Sequence, residues 1–384
     1  MWYTIRPGLP MATDLQVEER TFFRRLDWNL LAVIFCINVI GLITLYSATH
    51  GASAAFSQTR LFWLQTVYLV MGWIVFFGVT LVDYQFFNRA AYILYAINLI
   101  ALALVLVIGR SELGARRWLE LGLFRYQPSE TMKLVLVFIL AKILSKQNKP
   151  EGMGFLDLII PTLITIVPTA LTVKQPDLGT GLMLFAVFVS MVLFVRVRTS
   201  VLISVLIVGM VAVPLVWTFG LKPYQKARIA TFISPDKHPH GAGYNSLQSL
   251  IAVGSGEIIG KGFRKGTQSQ LDFLPERHTD FIFSVLSEEH GFIGGMTTVG
   301  LFIFLLFMCA KIAAQAHDRF GVLVGVGAVS ILFWHVIVNI CMVIGLLPVV
   351  GVPLPLISYG GSMMITAMAS LGIISSLAYR KFLF

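Results

Sequence analysis

The segment LDFLPERHTDFIFSVLSEEHG, residues 271–291, carries acidic side chains into the start of a long apolar run. The run that follows Asp280 extends to about residue 310, and its length predicts a membrane-spanning helix with Asp280 at its rim. Glu288 lies two turns further in. Because an ionisable group is costly inside hydrocarbon, an acid at that depth indicates function. The alternative is that Thr279 or Asp280 merely caps the helix.

The composition is that of a membrane protein. Of the 384 residues, 57% are hydrophobic and 12% are charged, whereas soluble domains contain about 25% charged residues. The mean hydropathy is +0.82. Runs without Asp, Glu, Lys or Arg cover 28–59, 61–82, 90–109, 178–195, 199–221, 290–310 and 320–379. Most of them are long enough to cross about 30 Å of hydrocarbon. We therefore expect an all-α polytopic membrane protein forming a single domain, 1–384.

The order of apolar runs and polar links predicts about ten transmembrane helices. A cytoplasmic tail, 1–27, precedes the first helix, and a large extracytoplasmic loop, 221–279, separates helices 7 and 8. Pro and Gly make 345–361 a turn or re-entrant segment rather than a helix. Clustered Lys and Arg near the short loops favour an orientation with both termini in the cytoplasm.

Two outer loops of this topology are basic. Loop 110–129 has four arginines against two acids, and loop 221–279 has eight basic residues against four acids. One interpretation is a set of solvated charges. The other is an anionic ligand at the membrane surface, because the planar fork of arginine matches phosphate oxygens. Glycines between 254 and 266 would either let backbone N–H groups approach such a ligand or simply make turns.

Charged and small residues also fall on single helix faces. Glu130 and Lys133 lie three residues apart, so they either form a local ion pair or line a water-filled cavity facing the eighth helix. His335 and Asn339 share a face of the ninth helix and suggest an interhelical hydrogen bond. The eighth helix carries an inward stripe of Asp280, Ser284, Ser287, Glu288 and Gly291. About 12 Å of helix rise separates Asp280 from Glu288, so these two carboxylates cannot act on one bond.

Six stretches together resemble one family. They are GARRWLELG (114–122), QPSETMK (127–133), KQPDLGT (174–180), GYNSLQSLIAVGSGEIIGKGF (243–263), LPERHTDFIFSVLSEEHGFIG (274–294) and GLLPVVGVPLPLISYGGS (345–362). The chain is similar to the SEDS proteins (shape, elongation, division and sporulation), and within that family to its elongation branch. The likeness covers nearly the whole chain in the expected order.

The resemblance implies a peptidoglycan glycosyltransferase of the bacterial inner membrane. Such an enzyme polymerises lipid II into β-1,4 glycan at the outer face of the membrane during elongation and shape maintenance. The implied partners are a class B penicillin-binding protein (a transpeptidase) and the elongation proteins MreC and MreD; no nucleic acid is involved. The family implies catalytic importance for Asp280 and support from Trp118, Glu130 and Lys133.

The chemistry of glycan synthesis assigns roles to these residues. We predict Asp280 as the base, or as the carboxylate that orients the acceptor hydroxyl. The leaving pyrophosphate needs positive charge, which we expect from Lys133, Arg116, Arg117, Arg228 and Arg277. Trp118 would stack on a sugar or sit in the interfacial belt. Glu130 and Glu288 complete the predicted substrate-binding set. The three cysteines and scattered histidines predict no metal site. A divalent cation, Mg²⁺ or Mn²⁺, bridging pyrophosphate and carboxylate is an open alternative.

Two other functions fit the same pattern. A lipid II flippase would also use buried charges among kinked helices, but it would need charge on both sides of the membrane, and the unusual groups here concentrate outside. A non-catalytic scaffold for the transpeptidase would leave Asp280 and Lys133 dispensable.

Overall fold

The computed structural model describes residues 26–50, 56–112, 115–121, 124–147, 149, 151–220, 226, 230–232, 242–271 and 273–380. Most of the predicted tail 1–27 lies outside the described residues, as do Arg228 and most of 221–241 within the predicted loop 221–279.

Helices dominate the described chain. They are α1 (Trp28–Thr49), α2 (Phe56–Leu81), α3 (Tyr84–Ile108), α4 (Pro128–Ser145), α5 (Phe155–Lys174), α6 (Leu178–Phe194), α7 (Thr199–Leu215, followed by a π-helical turn Val216–Gly220), α8 (Ala242–Ser255), α9 (Thr267–Gln270), α10 (Ile282–Ala314), α11 (Arg319–Val343) and α12 (Gly361–Arg380). Three short strands lie between α3 and α4: β1 (Arg110–Glu112), β2 (Ala115–Leu121) and β3 (Phe124–Tyr126).

Seven of the described helices are long and apolar enough to cross a membrane: α1, α3, α5, α10, α11, α12 and residues Thr59–Leu81 of α2. Helix α6 and the first part of α7 are shorter but apolar. Helix α4 has 18 residues and buries Glu130 and Lys133. These ten helices coincide with the ten predicted spans, and the fold is an all-α, multi-pass membrane bundle.

The segment 110–126, predicted as a loop, contains a small antiparallel sheet in the order β1-β2-β3. Arg110 pairs with Trp118, and Leu119 pairs with Tyr126. The sequence ARRWLEL in β2 alternates polar and apolar residues only in its second half, which is a weak strand signal. Segment β2 forms a strand because its main chain pairs with β1 on one side and with β3 on the other.

Helix α10 is broken at Gly291, where the eighth span was expected to be continuous. Gly291 has a φ of 65° and a ψ of −161°. Gly260, with a φ of +88°, packs against this break, and a Cβ on Gly291 would lie 2.4 Å from the Gly260 nitrogen. The glycine-rich loop therefore approaches the helix rather than a ligand here. Four main-chain bonds join them: Lys261 N to Glu288 O (3.0 Å), Gly262 N to Glu289 O (2.9 Å), Phe292 N to Glu257 O (2.8 Å) and Ile293 N to Ile258 O (3.2 Å).

The segment between α11 and α12 runs through the protein interior without forming a helix. Val352, Leu354 and Leu356 are at most 2% exposed. Irregular backbone at membrane depth requires protein partners for its polar groups. Side chains supply them: Asn339 donates to the Val352 carbonyl (2.7 Å), Gln65 to the Ser358 carbonyl (3.1 Å), and Ser358 Oγ accepts from Leu354 N (2.9 Å). We call residues 345–360 the re-entrant segment.

Candidate active site

Asp280 lies in the turn that leads into α10. The helix begins at Ile282, and its N-cap residue is Phe281, which makes no side-chain capping bond. Asp280 is therefore not the N-cap. It is half-buried, and its Oδ2 faces the re-entrant segment, where a Cβ on Gly351 would lie 3.4 Å away.

The main chain before Asp280 is held at three successive residues. The His278 carbonyl accepts from Tyr359 N (2.9 Å), and the Thr279 carbonyl accepts from Ser358 Oγ (2.6 Å). The Asp280 carbonyl accepts from Asn339 Nδ2 (2.8 Å). Because all three bonds come from outside the turn, the Asp280 carboxylate is placed before any substrate arrives. Such preorganisation is what a catalytic carboxylate needs.

The imidazole of His278 lies in the same turn. Burial lowers the pKa of His278; Glu276 opposes that shift, and Arg277 adds to it. The His278 side chain is therefore neutral at pH 7.

Glu130 and Lys133 form the ion pair that one of the two interpretations predicted. Lys133 Nζ lies 2.7 Å from Glu130 Oε2, and Lys133 is 0% exposed. The same ammonium lies 2.6 Å from His335 Nε2 on α11. The pair thus faces α11 rather than the acidic residues of α10, and it is enclosed rather than set in a wide cavity.

Arg117 belongs to a second polar group at the start of α6. Its Nε lies 3.9 Å from Asp177 Oδ2, and its Nη2 donates to the Pro176 carbonyl. Asp177 is 3% exposed and also accepts from Gln127 Nε2 (3.2 Å) and Thr180 Oγ1 (2.9 Å). Trp118 is half-buried, and it lies on the same strand as Arg116 and Arg117.

Sequence reasoning assigned no role to Asp177 or Gln127. Both lie in the quoted motifs KQPDLGT and QPSETMK, immediately before a helix. Asp is a preferred N-cap residue, so the sequence could have predicted that Asp177 caps α6. Its ion pair with Arg117 joins two segments about 60 residues apart, and the motif alone did not predict it.

The re-entrant segment connects these groups. On one side, Gly179 at the start of α6 abuts the Val350 carbonyl, which a Cβ would approach to 2.6 Å. On the other side, Gly351 faces Asp280, and Pro353 faces His335, whose Nδ1 lies 3.4 Å from the Pro353 carbonyl. The start of α6 two residues after Asp177, the imidazole that contacts the buried ion pair, and Asp280 therefore all adjoin residues 350–353.

Glu288 binds the outer loop. Glu288 is 0% exposed and accepts from Lys261 Nζ (2.9 Å), Gln268 N (2.9 Å) and Ser269 N (3.1 Å). It thereby ties the outer loop to α10. The inward stripe predicted for α10 is buried at Ser284, Ser287, Glu288 and Gly291.

Arg277 is 5% exposed, and its Nε donates to the Ala48 carbonyl at the end of α1 (2.8 Å). With His278 it lines a cavity of about 240 Å³ between the turn and α1. A contact of either Glu288 or Arg277 with substrate stays a prediction.

Metal-ligating side chains are not clustered in the described part of the chain. Within the described ranges, no group of three His, Cys, Asp or Glu side chains is placed to hold an ion.

Comparison with known proteins gives one consistent result. The family model described as "Cell cycle protein", FtsW/RodA/SpoVE, matches residues 27–382. Peptidoglycan glycosyltransferase MrdB of Escherichia coli K12 is 39% identical over 370 residues, covering 95% of this chain and 98% of that protein. Peptidoglycan glycosyltransferase RodA of Treponema pallidum is 30% identical, covering 92% and 98%. Stage V sporulation protein E of Bacillus subtilis is 36% identical, covering 91% and 95%.

Two solved structures share the fold. One comes from a study of how a peptidoglycan synthase complex coordinates polymerization and crosslinking; it has a TM-score of 0.79 and 32% identity, covering 93% of this chain and 98% of that one. The rod shape determining protein RodA of Thermus thermophilus has a TM-score of 0.69 and 29% identity, with the same coverage. By sequence and by fold, this chain belongs to the FtsW/RodA/SpoVE family.

Proposed function

We propose that this protein is a peptidoglycan glycosyltransferase that polymerises lipid II into β-1,4 glycan strands. The observation that carries the proposal is the placement of Asp280: three main-chain bonds hold its turn, and its carboxylate faces the re-entrant segment, which also packs against Gly179 at the start of α6. Asp177, the partner of Arg117, lies two residues before Gly179. Relatives that match almost end to end bear the name peptidoglycan glycosyltransferase.

The reaction requires the 4-hydroxyl of an acceptor sugar to attack the anomeric carbon of a donor. The new C–O bond forms as the bond from that carbon to the lipid pyrophosphate breaks, and the hydroxyl proton passes to a base. Asp280 is the base, or it orients the hydroxyl. Its held main chain lowers the cost of aligning the acceptor.

Positively charged side chains must stabilise the negative charge of the leaving diphosphate. Arg117 is the best-placed candidate, because it is one-third exposed while Asp177 and the Pro176 carbonyl fix its guanidinium. Arg116, on the same strand, is the next candidate, and Trp118 would stack on a sugar. Lys133 is enclosed with Glu130 and His335, so we assign the pair to support of the site, and direct contact of Lys133 with diphosphate stays a prediction.

The location and partners form a further part of the proposal. The protein would lie in the bacterial inner membrane with both termini in the cytoplasm and Asp280 at the outer face. A class B penicillin-binding protein would crosslink the product; one solved relative belongs to a peptidoglycan synthase complex that polymerises and crosslinks. MreC and MreD complete the proposed assembly. A Mg²⁺ or Mn²⁺ ion at the diphosphate stays an open part of the proposal.

The deciding experiment supplies the purified protein and its transpeptidase partner with lipid II while the transpeptidase active site is blocked. Glycan strands resolved on a gel are the expected product, and Asp280→Ala should abolish them. Fluorescent lipid II that crosses proteoliposome leaflets without forming glycan would indicate a flippase instead. Normal glycan synthesis by Asp280→Ala would remove Asp280 from the mechanism.

A further inference from the structure

His335 joins the buried ion pair from a second helix. Lys133 Nζ lies 2.7 Å from Glu130 Oε2 and 2.6 Å from His335 Nε2. All three residues are at most 4% exposed. Two helices far apart in sequence, α4 and α11, are therefore connected through one ammonium group.

The donors and acceptors of this trio define the state of the imidazole. An ammonium group has only donors, so Nε2 of His335 must accept and carries no proton. The ring proton then lies on Nδ1, which faces the Pro353 carbonyl at 3.4 Å in a long hydrogen bond. His335 is thus neutral. Lys133 and the Pro353 carbonyl both favour the tautomer with the proton on Nδ1. The imidazole therefore connects the two groups without adding a charge.

Asn339 lies one helical turn beyond His335 on the same face of α11. Its amide donates to the carbonyls of Val352 and Asp280. Neighbouring carbonyls of the re-entrant segment, Val352 and Pro353, are therefore bound by Asn339 and His335. One face of α11 therefore contacts both groups: His335 contacts the ion pair, and Asn339, one turn later, binds the main chain of Asp280.

We propose that His335 is a positioning residue, which holds the Lys133–Glu130 pair and the re-entrant segment in register with Asp280. This inference rests on the proposed glycosyltransferase activity. A register shift of about 1 Å can cost up to about a hundredfold in rate, so the loss should appear in kcat. Substrate affinity should change little, because His335 is enclosed and does not reach the outer surface.

The activity test compares two substitutions in the full chain with its partner and lipid II. His335→Leu keeps bulk but makes no hydrogen bond, whereas His335→Gln can accept from Lys133 and donate to Pro353. We expect H335L to lower kcat by about tenfold or more with KM within twofold, and H335Q to stay within about threefold of the wild type. Phe333→Leu, on the exposed face of the same helix, is the matched control. Wild-type kcat in H335L, or equal loss in both variants, would overturn the role.

A second measurement does not depend on activity. The three native cysteines are replaced, Asp280→Cys is introduced, and its rate of labelling by a hydrophilic maleimide is measured in detergent. H335L should change that rate by at least about threefold, and H335Q should leave it near the parent value. An unchanged labelling rate in H335L would refute the positioning role of His335 even if the wild type synthesises glycan. An absence of glycan from the wild type would refute the proposed function alone.

Discussion

The side-chain amide of Asn339 donates to the main-chain carbonyl of Asp280 at 2.8 Å and to that of Val352 at 2.7 Å. One amide nitrogen uses both of its N–H groups in these bonds. The turn that carries Asp280 and the re-entrant segment therefore cannot separate unless one of the bonds breaks.

Replacing Asp280 should stop the chemistry without unfolding the protein. Asp280→Asn keeps the shape and the main-chain bonds but cannot accept the acceptor proton, so we expect glycan synthesis to fall by about a hundredfold or more. Thermal unfolding in detergent should stay near the wild-type midpoint. Glu151→Gln, which removes an acid paired with Arg198 in an exposed ion pair, is the control and should polymerise normally. Polymerisation by D280N at the wild-type rate would contradict the assigned base.

Asn339→Leu should reduce both stability and kcat. Each buried carbonyl left without its donor costs about 1–3 kcal/mol, so the thermal midpoint should fall. Activity normalised to folded protein should drop by at least about tenfold, because Asp280 loses one of its three main-chain restraints. Size-exclusion yield, unfolding midpoint and glycan synthesis measured on the same preparation separate the two effects. A destabilised variant with normal activity per folded molecule would show that Asn339 only supports the fold.

Arg117→Ala should raise the KM for lipid II more than it lowers kcat. The guanidinium is held by Asp177 and the Pro176 carbonyl at the start of α6, and a charge-assisted bond to diphosphate would be lost. We expect KM to rise by about tenfold, which is about 1.4 kcal/mol. Arg198→Ala, just beyond the end of α6, is the matched control. An unchanged KM in R117A would exclude Arg117 from the diphosphate contact.

Glu288→Ala tests whether this carboxylate binds substrate or holds the outer loop. Removing one member of a buried ion pair costs about 3–5 kcal/mol, so we expect a large loss of thermal stability. The double variant with Lys261→Met should lose less than the sum of the single variants, because neither charge is then left alone. Exposed Glu257→Gln is the control. A higher KM for lipid II at an unchanged unfolding midpoint would favour the substrate contact predicted from the sequence.

The stability of the protein should fall in mild acid through His278. Its pKa in the folded protein is lowered from 6.5, chiefly by burial. Above pH 6.5 the imidazole is neutral in both states and has no effect. Below that pH the unfolded chain binds a proton that the folded protein does not, so the free energy of unfolding decreases until the folded-state pKa is reached. Unfolding midpoints between pH 8 and pH 5 should therefore drop less for His278→Gln than for the wild type; parallel curves would contradict this.

Much of the fold follows from properties that are local in sequence. The order of apolar runs and polar links predicts ten spans, and a Pro- and Gly-rich stretch predicts the break before the last helix. Three-residue spacing predicts the Glu130–Lys133 pair, and the rarity of acids beside membrane helices singles out Asp280. The motif blocks identify the family, which the comparisons confirm.

The tertiary structure alone decided what surrounds those residues. Lys133 and His335 are 202 positions apart, and Asn339 and Asp280 are 59 apart, so no periodicity relates them. Other features likewise depend on segments that meet only after folding: the small sheet around Trp118, the break at Gly291, and the ion pair of Arg117 with Asp177. The sequence by itself determined which groups could not face lipid, because the free-energy cost of placing a charged side chain in hydrocarbon depends on the residue type alone. Which partner satisfies each group was decided by the packing of distant helices, because buried polar atoms take whichever donor or acceptor the folded bundle brings within reach.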